Sequence, residues 1–289
     1  MTWKKQKLQI VKERDAEGRT KEIFDEIKHS LGVPYVNSMF RILACFPEFF
    51  DLFWREAKPV LNSQEFFSFA ERLGAEAFTR MHNYFTVPPL QTRTETNRGP
   101  GAQAELQDVV ELYHYNCSVQ LLLDAALVQG FENTAVEQQE ATPVVAQNRY
   151  AKHPLPLDED TVPATTRKIY DDIKRALKSQ FLSTFYLQLG RWPDFMTAYW
   201  ESLKLLLRTP LYEHHRLEMC DSALAFASKL PKSLQLSVTQ MEEAGIPKDD
   251  INGLMGVAES FLNILSKQAL NVAFAKIGLE NGSRTKIAA

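Results

Sequence analysis
The 289-residue chain carries a copy of itself. Phe24 falls on Tyr170, an offset of 170 − 24 = 146, and this register holds without a gap from Thr20/Thr166 to Trp54/Trp200. Along it Ile23/Ile169, Asp25/Asp171, Ile27/Ile173, Lys28/Lys174, Leu31/Leu177, Leu43/Leu189, Pro47/Pro193 and Phe49/Phe195 are identical. A weaker echo, offset by 263 − 116 = 147, sets "NCSVQLLLDAAL" (Asn116–Leu127) against "NILSKQALNVAF" (Asn263–Phe274). A period this long describes two copies of a domain-sized unit, not a solenoid of short repeats. It divides the chain into a first repeat over 1–131, a Pro-rich linker over 132–165 and a second repeat over 166–289.

Both copies follow one plan. Thr20 and Thr166 are expected N-caps, because a side-chain oxygen there satisfies a free N–H of the first turn. Ile23, Phe24, Ile27 and Leu31 then recur at spacings of three and four, one face of a helix. A short extended piece ("GVPYV", "KSQFL") leads to a second helical run, which Pro47 and Pro193 interrupt. Proline suits the first turn of a helix, where its missing N–H costs nothing, and Glu48 and Asp194 favour the positive end of that helix's dipole. Helical patterns continue over Gln64–Thr86, Ala104–Phe131, Tyr212–Lys229, Leu234–Ala244 and Lys248–Ile277, and no alternation bounded by hairpin turns competes with them. The fold is therefore expected to be all-α, two tandem duplicated helical repeats packed as an intramolecular pseudo-dimer. A long loop is expected over Thr86–Gln103.

Composition excludes several classes of function. A formal net charge of −3 and the lack of a Lys/Arg cluster argue against nucleic acid as a partner. No apolar run approaches the ~20 residues of a membrane span. The N-terminal "MTWKKQKLQIVKERDAEGRTKE" lacks the apolar core of a secretory signal, so a cytoplasmic location is expected. Cys45, Cys117 and Cys220 are isolated and read as small buried hydrophobes. Neither GxSxG, HExxH, a P-loop nor GxGxxG occurs, and no cofactor or metal is expected. The adjacent histidines of "EHHR" (Glu213–Arg216) point to different faces of a helix, a poor arrangement for chelating one ion.

A duplicated unit tends to hold its pocket between the copies. Polar residues set in apolar helices then become the candidates, and "ELYHYNCSVQLLLDAAL" places Tyr113, His114, Tyr115 and Asn116 where a long apolar stripe begins. Tyr113 and Asn116, three apart, share a face. A hydrogen-bonded helix with buried aromatics is the plain structural reading of the same residues.

The phrase "EIFDEIKHSLGVPYVNSMFRILACFPEFFDLFW", its degenerate second copy and "YHYN…LLLDAAL" resemble the group I (DehI-type) 2-haloacid dehalogenases across nearly the whole chain. The first phrase also resembles the opening of AhpD-type proteins, whose CxxC is missing from "ERLGAEAFTRMHNYF". The dehalogenase resemblance implies an all-α, cofactor-independent hydrolase acting on short 2-halocarboxylic acids. In it, an aspartate of the second repeat, helped by an asparagine of the first, activates a water that displaces halide at C2. The asparagine maps to Asn116. The aspartate maps to "STF" (Ser183, Thr184, Phe185), where no residue is acidic. His114 becomes the alternative base, since histidine titrates near neutral pH. Tyr113, Tyr115, Asn37, Ser183, Thr184 and Phe185 are the expected substrate-binding residues. Three readings follow: a dehalogenase-like hydrolase, a diverged binder or enzyme for another small molecule on the same fold, and a non-enzymatic helical interaction module. The expected partner is a small ligand such as a short carboxylic acid, with a homodimer among the options for assembly.

Overall fold
A computed structural model describes residues 10–90, 101–132, 142–143 and 153–287, the last four by backbone alone. Among these residues there are eleven α-helices and no strand: α1 (Gly18–Leu31), α2 (Ser38–Leu43), α3 (Pro47–Leu61), α4 (Gln64–Tyr84), α5 (Ala102–Phe131), α6 (Ala164–Leu177), α7 (Thr184–Leu189), α8 (Pro193–Leu206), α9 (Pro210–Ala227), α10 (Val238–Glu243) and α11 (Lys248–Ile287). The fold is all-α. Helices α1, α2 and α3 begin 146 residues before α6, α7 and α8, as α4 does before α9. Residues 133–141 and 144–152 of the stretch 132–165, and 91–100 of the Thr86–Gln103 stretch, lie outside the described residues. The start of that loop lies along α11, with the Leu90 N–H donating to the Gly278 carbonyl at 2.8 Å.

Paired residues perform paired tasks. The indole N–H of Trp54 (α3) donates to Glu26 Oε2 (α1) at 2.8 Å, and Lys58 Nζ donates to the same oxygen at 2.7 Å. Asp172 takes the same two bonds in the second copy, from Trp200 at 2.9 Å and from Lys204. Each clamp ties the first helix of its unit to the third, which accounts for the repeated tryptophan. Lys58 and Trp54 hold the Glu26 carboxyl down to about 2. Pro47 and Pro193 open α3 and α8, as the helix-start chemistry requires.

The caps differ from expectation. α1 and α6 start ahead of Thr20 and Thr166, at Gly18 and Ala164, and their N-cap positions make no side-chain bond. Thr166 is buried instead. Side-chain capping appears instead at α4 and α9: Ser63 accepts from the Phe66 N–H and Thr209 from the Tyr212 N–H, both at 3.2 Å. Cys117 and Cys220 are buried as expected, but Cys45 is only partly so.

α5 and α11 pack against each other most extensively, and α4 and α9 each lie against both of them. The three-helix units α1–α3 and α6–α8 flank this four-helix centre. α5 buries residues all around its circumference from Asn116 to Leu127, because neighbours cover it on every side. The chain thereby places polar groups of α5 and α11 in a dry interior, where each needs a partner.

Candidate functional site
The bends before α2 and α7 bring the two units together. Asn37 and Ser183 are the N-cap positions of these short helices, with nearly the same backbone (φ −67°, ψ 158° and φ −67°, ψ 153°). Neither side chain caps its helix. Asn37 turns inward and forms a reciprocal amide pair with Asn116 of α5, each Nδ2 donating to the other's Oδ1 at 3.3 Å. Asn116 Nδ2 also donates to Tyr35 Oη at 3.1 Å, and Thr184 Oγ1, from α7, donates to Asn37 Oδ1 at 3.3 Å. Asn37, Asn116 and Thr184 are all buried. Ser38 Oγ crosses the same seam to the Leu182 carbonyl at 3.4 Å.

Beside this cluster a cleft of about 380 Å³ is lined from α2, α5, α7 and α11, with Tyr113, Gln120, Ser183, Thr184 and Gln268 as its main polar groups. Phe181, Phe185, Phe261, Ile264 and Leu265 supply apolar wall. The Tyr113 ring stacks on Tyr35 (centroids 5.4 Å) and meets Phe185 edge-on at 5.3 Å. Burial pushes both phenols above their ordinary pKa, so they remain protonated donors. Among the lining residues, the Tyr113 hydroxyl lies beside those of Tyr35 and Thr184, while Gln268 Nε2 is buried and makes no hydrogen bond among the described residues. Ser183 Oγ donates to Gln268 Oε1 at 2.9 Å, which turns the amide so that its NH₂ is the free end. Among the described residues none that lines the cleft is acidic, basic or an imidazole, so the polar groups it offers a small molecule are neutral.

The structure thus brings together Asn37, Tyr113, Asn116, Ser183, Thr184 and Phe185 and separates His114 and Tyr115 from them. The His114 ring meets Phe78 of α4 edge-on at 6.5 Å and packs under Gly74, where a Cβ would lie 3.2 Å from its Cε1. Burial, and after it Lys276, draws its pKa below 6.5. Tyr115 stacks on Phe67 and donates to the Leu31 carbonyl at 3.3 Å. The reason is angular: residues one or two apart on a helix point to different faces, so neighbours of Asn116 in sequence are not its neighbours in the site.

Gln120, Tyr35 and Gln268 were not singled out by sequence, and neither was Asp124. Asp124 is wholly buried, neither carboxyl oxygen has a hydrogen-bond partner among the described residues, and burial raises its pKa well above the carboxylate range. Its partner at the offset of 147 is Asn271, which is fully satisfied. Asn271 Nδ2 donates to Tyr186 Oη (2.9 Å), Oδ1 accepts from Tyr212 Oη (2.7 Å), and its carbonyl accepts from Tyr199 Oη (3.1 Å). The positions 146 residues before these tyrosines are Phe40, Phe66 and Phe53. The Phe40–Phe53 ring pair (6.4 Å, 38°) reproduces Tyr186–Tyr199 (6.5 Å, 43°), so geometry is kept while the hydroxyls are missing. The quoted echo already aligned Asp124 with Asn271, and a polar residue inside "LLLDAAL" was the available signal.

The histidines of "EHHR" are closer together than their spacing suggested. Glu218 joins them, with His215 Nδ1 at 2.9 Å and His214 Nε2 at 3.6 Å, so that one donor atom from each of the three lies within 4.8 Å of the others. The Arg80 guanidinium binds the same carboxylate and supplies the positive charge a cation would bring. No helix of the described residues is long and apolar enough to cross a membrane.

Against known proteins, the family model described as halocarboxylic acid dehydrogenase DehI matches residues 34–186, just over half the chain, and that span includes Asn37, Asn116 and Ser183–Phe185. The (R)-2-haloacid dehalogenase of Pseudomonas putida is 24% identical over 279 residues, 93% of this chain and 92% of the relative. A configuration-inverting 2-haloacid dehalogenase of Alcaligenes xylosoxydans xylosoxydans is 22% identical over 269 residues, 89% of each. A D-2-haloacid dehalogenase solved in complex with L-LA has the same fold, with a TM-score of 0.87 at 24% identity over 94% of this chain and 96% of that one. The chain belongs to the halocarboxylic acid dehydrogenase DehI family.

Proposed function
We propose that the cleft between the repeats, 1–131 and 166–289 with 132–165 joining them, binds a short 2-substituted carboxylic acid. We further propose that the chain is a 2-haloacid dehalogenase relative that has lost the group that activates water. The observation that carries this reading is the cleft whose lining is uncharged among the described residues and in which Gln268 Nε2 is buried without a partner among them. A buried donor left unpaired costs about 1–3 kcal/mol, and a ligand oxygen that accepts from it recovers part of that cost. The named activities of the relatives support a 2-haloacid as the class of ligand. The polar lining from both repeats favours a ligand site over a purely structural interaction module.

Hydrolysis at C2 forms a C–O bond from water, breaks the carbon–halogen bond with the pair leaving on halide, and releases one proton. A base must receive that proton. Asn37 and Asn116 can orient a water, but amides do not accept its proton, and Ser183, Thr184 and Phe185 offer two hydroxyls and a phenyl ring where the resemblance calls for a carboxylate. Losing general-base assistance lowers a rate by about 10²–10⁴. The test combines thermal shift with (R)- and (S)-2-chloropropionate and chloride release by the natural chain, Ser183→Asp and Thr184→Asp. Expected are stabilisation of the natural chain by at least one enantiomer, slow chloride release, and a faster rate of about 10²–10⁴ in an aspartate variant. Absence of stabilisation by either acid would count against the binding reading. Rapid release by the natural chain would show that the base is not lost.

A further inference from the structure
A second cleft, of about 430 Å³, opens beside the first within the second repeat, and the two share Phe181, Ser183, Ile264 and Gln268 as wall. Two ammonium groups line it, Lys174 and Lys267. Lys174 is committed to Glu159 and Asp171. Lys267 is only partly exposed, and among the described residues its ammonium makes no salt bridge or hydrogen bond. The carboxylate that acts on it, Glu213, does so only through space and is bonded to Arg216 through two nitrogens at 2.7–3.0 Å. Burial accordingly pulls the Lys267 pKa down.

Next to it in sequence, Gln268 is 3% exposed and lines both clefts; Ser183 holds its Oε1, and its Nε2 has no partner among the described residues. An unpaired cation and an unpartnered buried N–H from residues lining one cleft suit an anion, and a carboxylate with its two oxygens can meet both. The counterpart of Lys267 at the offset of 147 is Gln120, which turns back to the Asn116 carbonyl at 3.2 Å. The cation therefore belongs to the second repeat alone, which makes the pair of clefts chemically one-sided.

Resting on the reading that the clefts take a short carboxylic acid, we infer that Lys267 and Gln268 anchor the acid's carboxylate, with the substituent at C2 directed past Ser183 toward Tyr113 and Thr184. Neither residue is a base in this role; both position the ligand.

Calorimetric titration with 2-chloropropionate and with the neutral 2-chloropropionamide tests the assignment on the natural chain, Lys267→Gln and Lys267→Arg. The acid is expected to bind the natural chain about 10-fold or more tighter than the amide. Lys267→Gln should lose that preference, and Lys267→Arg should keep it. Equal affinity of the natural chain and Lys267→Gln for the acid overturns the anchor and leaves the binding reading standing. If the natural chain binds no acid at all, the binding reading fails and the anchor falls with it. A melting temperature measured for each variant separates loss of the charge from loss of the fold.

Discussion

The carboxyl of Asp124 makes a prediction that depends on little besides its burial. It sits in the interior on α5 without a hydrogen-bond partner among the described residues, and its pKa is raised well above the ordinary carboxylate range because an ionised form would be stripped of water. In the unfolded chain the same group ionises near the ordinary value. Between those two pKa values the native chain therefore holds one proton more than the unfolded chain, and stability falls as pH rises. The linkage slope for one proton is about 1.4 kcal/mol per pH unit. Asp124→Asn keeps the size and cannot ionise, so it should remove that slope. All other groups titrate alike in both chains and cancel in the difference. Asp124→Leu should in addition gain roughly 1–3 kcal/mol by removing a buried polar group that has no partner. Urea unfolding of the natural chain and Asp124→Asn, repeated in steps upward from pH 5, reads the difference directly. The gap should widen in favour of Asn with each step until the folded carboxyl ionises. Parallel profiles would refute the reasoning, because they would mean that Asp124 is ionised in the fold or that water partners it.

Two further perturbations exploit the repeated architecture. Gly190 packs where an added Cβ would collide with the Tyr170 hydroxyl, whereas the matching pair in the first unit is Ala44 and Phe24. Gly190→Ala should cost about 1–3 kcal/mol in denaturant unfolding as overpacking, and markedly less in a Tyr170→Phe background. Equal costs in the two backgrounds would exclude the hydroxyl as the cause. Glu26 has its pKa held down to about 2 by Lys58 and Trp54, so its contribution to stability is present above the unfolded pKa and is lost as pH falls towards 2. The stability advantage of the natural chain over Glu26→Gln should shrink between pH 5 and pH 3, measured by thermal melting, and a constant gap would contradict the clamp.

Much of this protein was legible before any coordinates. Spacings of three and four around Ile23 and Ile27 report a helix because that periodicity is local. Pro47 and Pro193 mark helix starts for an equally local reason, the missing N–H. Thr20 and Thr166 misled because N-cap preference is a weak signal: α1 and α6 begin earlier and extended backbone at Glu17 and Pro163 sets their entry. Tyr113 and Asn116 were identified together because they share a helix face. His114 and Tyr115 were included because they adjoin Asn116 in sequence, although the helix turns them towards α4 and α1.

The sequence by itself determined the helical class, the period of 146 and the polar residues embedded in α5, since repetition, periodicity and residue chemistry are properties of the chain. Only the tertiary structure decided that Asn37, Asn116 and Thr184 meet, that Gln268 lines both clefts with its N–H unpartnered among the described residues, and that Lys267 lines the second without a salt bridge among them. Those groups come from helices far apart in the chain, and their meeting depends on how α5 and α11 are rotated against each other. Packing gathers the hydroxyls of Tyr186, Tyr199 and Tyr212 on Asn271, whereas the positions 146 residues earlier, Phe40, Phe53 and Phe66, carry no hydroxyl to offer Asp124.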